Sequence, residues 1–393
     1  MEGFKYVIHL LLLTVFFYAS VAYHWTKKKR KWQFVYYIVS FALIIFLSVY
    51  LAFRDIYFDG EIITGGMDAH VYKERFENAT SMPLAESLAY QQYEYGYGLF
   101  VYFIRLLTPS YIVYEIIYYA ILFIVASATL RILNLRKGIV SFILIFVYIA
   151  IPFFDSMNIA RNMLAYFLAM LSLALFSKKK TVSSLIIAAI ASTIHISAII
   201  LFAIYFAYML MSKGKKKRAK IAFVIVISLF TIAAFVLINV FRPILLTTKY
   251  ALYFVSGNGQ LPIGLIIERF AALLLYLIFI KKRIIDKRYV YLSLVTLGVA
   301  IAVSFLQLAL PVLYRVNVIC GIGCFFTFNM LNTGYQSLKK SNCKRLAYAV
   351  VVLAFFALKI NSTVTETIQS YGLDSHQYVW EVTREAWRRL SLV

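Results

Sequence analysis

Acidic side chains are scarce in this chain: 17 Asp and Glu stand against 40 Lys and Arg in 393 residues. Charged residues of both signs make up only 15% of the sequence, while 63% of it is hydrophobic and the mean hydropathy is +0.81. So little polar surface excludes a soluble globular class. There are only three cysteines, Cys320, Cys324 and Cys343, and their spacing fits neither a metal site nor a disulfide framework. Cys320 and Cys324 lie one helical turn apart in an apolar run, where small packing residues are the default. The chain has no Walker loop, no HExxH, no GxSxG and no Rossmann fingerprint, which argues against nucleotide-driven or zinc chemistry. Internal repeats and low-complexity linkers are also missing, so the expectation is one domain over residues 1–393.

What is present is apolar sequence in runs of about 20 residues, each long enough to cross a hydrocarbon core of about 30 Å. The runs are continuous, unlike the alternating strands of a porin-type barrel. The fold class is therefore an all-α polytopic membrane protein. Val7 to Tyr23 lacks a basic n-region and a small-residue cleavage site, so it reads as a span and not as a signal peptide.

The net charge of +23 is a matter of position. Lys and Arg cluster at 27–31, 131–137, 178–180, 213–220, 281–288 and 339–345; these clusters hold 26 of the 40 basic residues and a single acid, Asp286. They fall on alternate connections and mark the cytoplasmic face, where they match anionic inner-leaflet lipid. This is not a nucleic-acid footprint. Twelve crossings follow, at about 6–23, 32–53, 111–130, 139–153, 160–177, 182–194, 197–211, 221–241, 264–280, 289–310, 316–331 and 346–360, with both termini extracytoplasmic. The tail, 361–393, is polar, and Tyr378 to Leu390 reads as a short interfacial helix anchored by Trp380 and Trp387.

Three places break the pattern. Tyr97 to Leu107 is apolar but too short to span, and reads as a re-entrant or interfacial helix before Pro109. Thr181 to Ser212 is short for two full crossings, which predicts broken or half-length helices meeting near His195; such helices are tolerated where they line a protein cavity. Residues 54–98 form the longest polar segment between spans, an extracytoplasmic loop that crowds charges, aromatics and the Gly65-Gly66 pair together. This loop is expected to roof a cavity whose walls the later helices supply.

Ionisable residues on the outer half of the membrane usually line a watery cavity or pair with one another. Arg161 opens a helix after an outer turn, where free N–H groups and the positive dipole end favour an anion; the plain alternative is an interfacial arginine paired with Asp155 or lipid phosphate. His195 lies at the outer turn of the short helical pair, either as a hydrogen-bonded core residue or as a phosphate ligand or base. Arg315, beside Tyr314 and after Pro311, is placed like Arg161 or else snorkels. Glu268 and Arg269 are neighbours that diverge by about 100° around a helix, so one faces the cavity or both pair with other helices. In the loop, Arg54, Asp55, Asp68, His70, Tyr72 and Glu94 are candidates, against the alternative of a solvated surface. Arginine binds phosphate in a bidentate fashion and stays charged. An outward-facing, arginine-rich site in lipid suits a lipid-linked phosphate or pyrophosphate.

The order of these signals resembles the EpsG family, related to Wzy-type O-antigen and capsule polymerases. The matching positions are Arg54, then Gly66-Met67-Asp68 with Tyr72; Glu94 with Gly96-Tyr97; and an Arg161 helix ending in Lys178-Lys179-Lys180. The run Ala191-Ser192-Thr193-Ile194-His195-Ile196-Ser197-Ala198 and a late Tyr314-Arg315 complete the set. A longer spacer between Arg54 and Gly66 departs from the family pattern. The resemblance implies a GT-C-like membrane glycosyltransferase of the bacterial cytoplasmic membrane that works without metal or cofactor. It would join undecaprenyl-pyrophosphate-linked repeat units outside the membrane with inversion, with a flippase and a chain-length regulator as partners. Arg161 and Arg315, with Arg54, would clamp the pyrophosphate. Asp68, Glu94 and His195 compete as the base, and the two acids are favoured because an anionic pyrophosphate tends to hold His195 protonated. The alternatives are a lipid-linked oligosaccharide flippase or an O-antigen ligase.

Overall fold

The computed structural model of this chain describes residues 2–22, 31–53, 56–58, 63–64, 68–79, 82–91, 93–135, 138–157, 159–213, 240, 263–280, 287–307 and 313–336. Arg54, the Gly65-Gly66 turn, Cys343, the crossing expected at 346–360, all but one residue of that at 221–241, and the tail lie outside them. The described chain is helical apart from a hairpin in which β1 (Tyr57–Phe58) pairs antiparallel with β2 (Ile63–Thr64). It divides into two compact units.

The first unit runs to Leu171 and also takes in Thr193–Ile196. Its long helices are α1 (Glu2–Ala22), α2 (Lys31–Ala52) and α6 (Tyr111–Leu133), with α6 packed against both α1 and α2. Their core is aromatic. Phe123 lies 4.3 Å from Phe153 and 5.1 Å from Phe16, ring centre to ring centre, and Phe17 lies 5.8 Å from Phe153. The opposite face of α2 leaves Phe41 and Phe46 65% and 64% exposed, within a stripe of aliphatic residues. A water-facing helix would not carry such a stripe; a lipid-facing helix would. Among the described residues, Tyr111–Leu133 and Ala160–Ser177 are each long and apolar enough to cross a membrane.

α6 ends at Asn134, which adopts the left-handed conformation with φ 53°, a position that asparagine tolerates well. The chain returns as α7 (Ile139–Ile145), a π-helical stretch (Phe146–Ala150) and α8 (Ile151–Asp155). Pro152 has no N–H to return to the Tyr148 carbonyl four residues earlier, and the Tyr166 hydroxyl donates to that carbonyl at 2.9 Å. The sequence predicts a crossing at 139–153, and helix runs without a gap over those residues, with the π stretch just before Pro152.

The polar segment 54–98 is more ordered than a loop. It holds α3 (Ala69–Asn78), α4 (Leu84–Gln91) and the start of α5 (Tyr95–Leu107). Tyr72 and Phe76, four residues apart, share the buried face of α3. Arg105 closes the α4–α5 hairpin, donating to the Met82 carbonyl at 2.8 Å and to Ser87 Oγ at 3.2 Å.

The second unit comprises Ser172–Ser192 and the described residues from Ser197 onward. Here α10 (Thr181–Ile194), of which Thr193 and Ile194 belong to the first unit, is followed by a 3₁₀ turn (Ile196–Ile199) and α11 (Ile200–Lys213). His195 sits at the break, as the short apolar run predicts. Each of these helices has 14 residues, a rise of about 21 Å against a hydrocarbon core of about 30 Å. The Tyr205 hydroxyl bridges Ser172 and Ser184 at 2.5 and 2.8 Å, while its ring stacks on Phe176. Further on, α12 (Ile263–Ile280), α13 (Lys287–Leu306), α14 (Tyr314–Cys320) and α15 (Ile322–Gln336) pack together. Gly323 lets α15 approach Thr296 of α13 so closely that a Cβ would stand 3.0 Å from the Thr296 Cβ.

Candidate functional site

Glu94 occupies the N-cap position of α5, with an extended backbone (φ −61°, ψ 143°). Its carboxylate makes no capping hydrogen bond. It turns instead to two residues far along the chain. One oxygen accepts from an Arg161 guanidinium nitrogen at 2.6 Å, and the other lies 3.7 Å from His195 Nε2. The Arg161 and Glu94 side chains are 20% and 26% exposed, and His195 is buried. The pair is thus open on one side and walled on the other, as a site for a headgroup would be.

Each partner is delivered by a local feature of the sequence. Arg161 is the second residue of α9 (Ala160–Ser177), whose first carbonyl, that of Ala160, accepts from the Tyr118 hydroxyl at 2.9 Å. His195 stands where α10 stops. The first turn of α5 meets that stop closely: a Cβ on Gly96 would lie 2.7 Å from the Thr193 carbonyl carbon. Glycine at 96 is what lets Glu94 reach the Thr193–Ile196 segment.

Tyrosines surround the guanidinium. Arg161 Nε donates to the Tyr72 hydroxyl at 3.3 Å, and the guanidinium carbon lies 4.9 Å from the Tyr93 ring centre. Tyr72, Tyr93 and Tyr97 pack ring on ring at 5.1 to 6.1 Å, and the Tyr97 and Tyr114 hydroxyls are hydrogen-bonded at 2.5 Å. Burial pushes the Tyr93 phenol well above its ordinary range, so at neutral pH it is an uncharged platform beneath a cation.

The remaining residues singled out from the sequence are placed as follows. Asp68 is half-buried just before α3, where its carbonyl accepts from the Tyr72 N–H at 3.1 Å, and His70 is half-buried in the first turn of α3. Arg315 and Tyr314 belong to the second unit, where Arg315 Nε donates to the Tyr314 hydroxyl at 3.0 Å. Glu268 and Arg269 are both buried in the same unit. Arg269 ties three helices together, donating to the Ala300 carbonyl at 2.6 Å, the Asn317 carbonyl at 2.9 Å, Ser304 Oγ and Asn317 Oδ1. Among the described residues, no three His, Cys, Asp or Glu side chains come together as metal ligands would. Tyr93 and Arg75 went unnoticed in the sequence, although the alternation Tyr93-Glu94-Tyr95-Gly96-Tyr97-Gly98 carried a signal.

The model of the EpsG family matches residues 61–373, which includes every member of this cluster. The chain belongs to the EpsG family. Membership of this polymerase-like family, together with the apolar helices, makes it a membrane protein with a role in polysaccharide biosynthesis. No curated protein and no solved structure matches the chain.

Proposed function

We propose that this EpsG-family protein is a polysaccharide polymerase that joins undecaprenyl-pyrophosphate-linked repeat units on the outer face of the bacterial cytoplasmic membrane. The observation that carries the reading is the carboxylate of Glu94 held between Arg161 and His195. That arrangement supplies the two things an inverting glycosyl transfer needs: a cation for the leaving group and a base for the acceptor.

In the proposed reaction the growing glycan on undecaprenyl pyrophosphate is the donor, and a newly arrived lipid-linked repeat unit is the acceptor. Arg161, at the positive end of α9, binds the pyrophosphate. A hydroxyl oxygen of the acceptor bonds to the donor's anomeric carbon on the face opposite the pyrophosphate. The bond from that carbon to the pyrophosphate oxygen breaks, and its electron pair leaves with undecaprenyl pyrophosphate. The hydroxyl proton passes to Glu94, whose second oxygen is steadied by His195. Charge developing on the leaving group is met by the guanidinium. Glu94 is preferred to Asp68 as the base because it touches both other members of the cluster. Arg54 lies outside the described residues and Arg315 belongs to the second unit, so the proposal gives the pyrophosphate to Arg161. The wider reading retains twelve crossings in a GT-C-like arrangement, both termini outside, and a flippase and a chain-length regulator as partners.

The test is reconstitution. The purified protein in nanodiscs, given its cognate undecaprenyl-pyrophosphate repeat unit without nucleotide sugar, is expected to produce a ladder of glycans. Arg161→Ala should reduce the rate by at least about 100-fold. Transbilayer movement of the lipid-linked unit in liposomes without any ladder would overturn the polymerase.

A further inference from the structure

Arg161 is not the only guanidinium on the Tyr93 ring. Arg75, from the last turn of α3, lies with its guanidinium carbon 5.4 Å from the same ring centre. Arg161 lies at 4.9 Å, so the two cations stand no further apart than the sum of those distances. A diphosphate gripped at both ends fits within that limit.

The two arginines differ in how their charge is met. Arg161 has Glu94. Arg75 donates one NH group to the Gln91 carbonyl at 2.7 Å, and among the described residues no carboxylate pairs with it. It is half-buried, where a cation without a counter-ion is costly. Two like charges against one aromatic ring also repel each other. Protein chemistry keeps such a pair where an external anion completes it. Arg161 is already engaged by Glu94, so of the two guanidiniums only Arg75 has its charge unmatched by a carboxylate among the described residues. A diphosphate, with an anionic charge on each phosphate, can engage both.

We infer that Arg75 is a second diphosphate-binding residue, which with Arg161 forms a two-point clamp across Tyr93 that selects a lipid-linked diphosphate over a monophosphate. The inference rests on the polymerase reading, in which the donor carries a diphosphate. Tyr93 lies between the two ends of the clamp, and the Gln91 carbonyl anchors the Arg75 end of it.

The experiment compares binding of undecaprenyl pyrophosphate and undecaprenyl monophosphate to the full-length protein in nanodiscs. Wild type is expected to prefer the diphosphate by about tenfold or more. Arg75→Ala should bring the ratio close to one while leaving monophosphate affinity unchanged, and Arg161→Ala should weaken both ligands. Because Arg75→Ala also strips the Gln91 carbonyl of its donor, Arg75→Lys is run beside it. Lysine keeps the charge and the donor but not the fork, so the preference should fall severalfold with an unchanged melting temperature. A full preference in Arg75→Ala or Arg75→Lys, with binding lost in Arg161→Ala, would overturn the clamp and leave the polymerase standing. No preference in wild type would overturn the clamp, and the glycan ladder would decide the polymerase separately.

Discussion

A carboxylate resting on an arginine can be a structural tether or a competitor for the arginine's ligand, and Glu94 separates the two by what its removal does. If Glu94 is the base, then in the resting site it also occupies the guanidinium that the donor pyrophosphate needs. Glu94→Gln is then expected to lower turnover by about 100-fold or more, while donor binding becomes tighter because the competing anion is gone. Weaker donor binding in the variant, measured with undecaprenyl pyrophosphate, would make Glu94 a tether for Arg161 and nothing more. At this scale the sequence was most legible where a residue type is rare in its surroundings. Arg161 and His195 stand out from apolar runs, and Glu94 from a tyrosine-rich one. Tyr93 did not stand out, because 31 tyrosines make any single one unremarkable on composition. Arg75 was hidden in the run Lys73-Glu74-Arg75, which reads as a solvated face until α3 turns one side of it inward.

At the scale of elements, the site depends on how closely the start of α5 approaches the end of α10. A methyl group at position 96 would meet the Thr193 backbone, which has nowhere to move without shifting His195. Gly96→Ala is therefore expected to destabilise the protein by about 1–3 kcal/mol and to lower polymerase activity at least tenfold by parting Glu94 from His195. Gly98 is the internal control. A Cβ there would meet the flexible tip of Leu88, 2.5 Å away, and no backbone atom. A rotamer change at Leu88 relieves the clash, and alanine also gains about 0.5–1 kcal/mol over glycine within a helix. Gly98→Ala should accordingly leave melting temperature and activity near wild type. Equal loss in the two variants would mean that any added bulk at the start of α5 is harmful, and the specific contact with Thr193 would lose its role. The break at His195 was foreseeable from length alone, since Thr181 to Ser212 is short for two crossings. The helices within 54–98 were not, because α3 and α4 bury only a narrow stripe and their composition is that of a loop.

For the whole molecule, what the sequence conveys best is direction across the membrane. Long apolar runs give the class, and basic clusters on alternate connections carry the proposed orientation. How side chains meet across helices is decided by packing between segments distant in the chain, which no local pattern encodes. Arg269, whose partners lie 31 to 48 residues away, is an example: the sequence offered either a cavity-facing charge or pairing with other helices, and the fold turns it to carbonyls and side-chain oxygens on two other helices. The functional reading needs the direction to be right, since a lipid-linked repeat unit is polymerised where it has been delivered. Within the first unit, Tyr95 is 78% exposed at the start of α5, and Asn134 is exposed at the far end of α6. The 23 residues of α6 rise about 35 Å, enough to part the ends of that helix by a hydrocarbon core. In a background lacking the three native cysteines, Tyr95→Cys is expected to react with a membrane-impermeant maleimide in intact spheroplasts. Asn134→Cys, which accepts about 1–2 kcal/mol of left-handed strain, should react only after the membrane is opened. The reverse pattern would place Glu94, Arg161 and Arg75 on the cytoplasmic side, where the basic clusters are assigned. The site would then face lipid-linked units before they are flipped, and an outer-face polymerase could not be built on it.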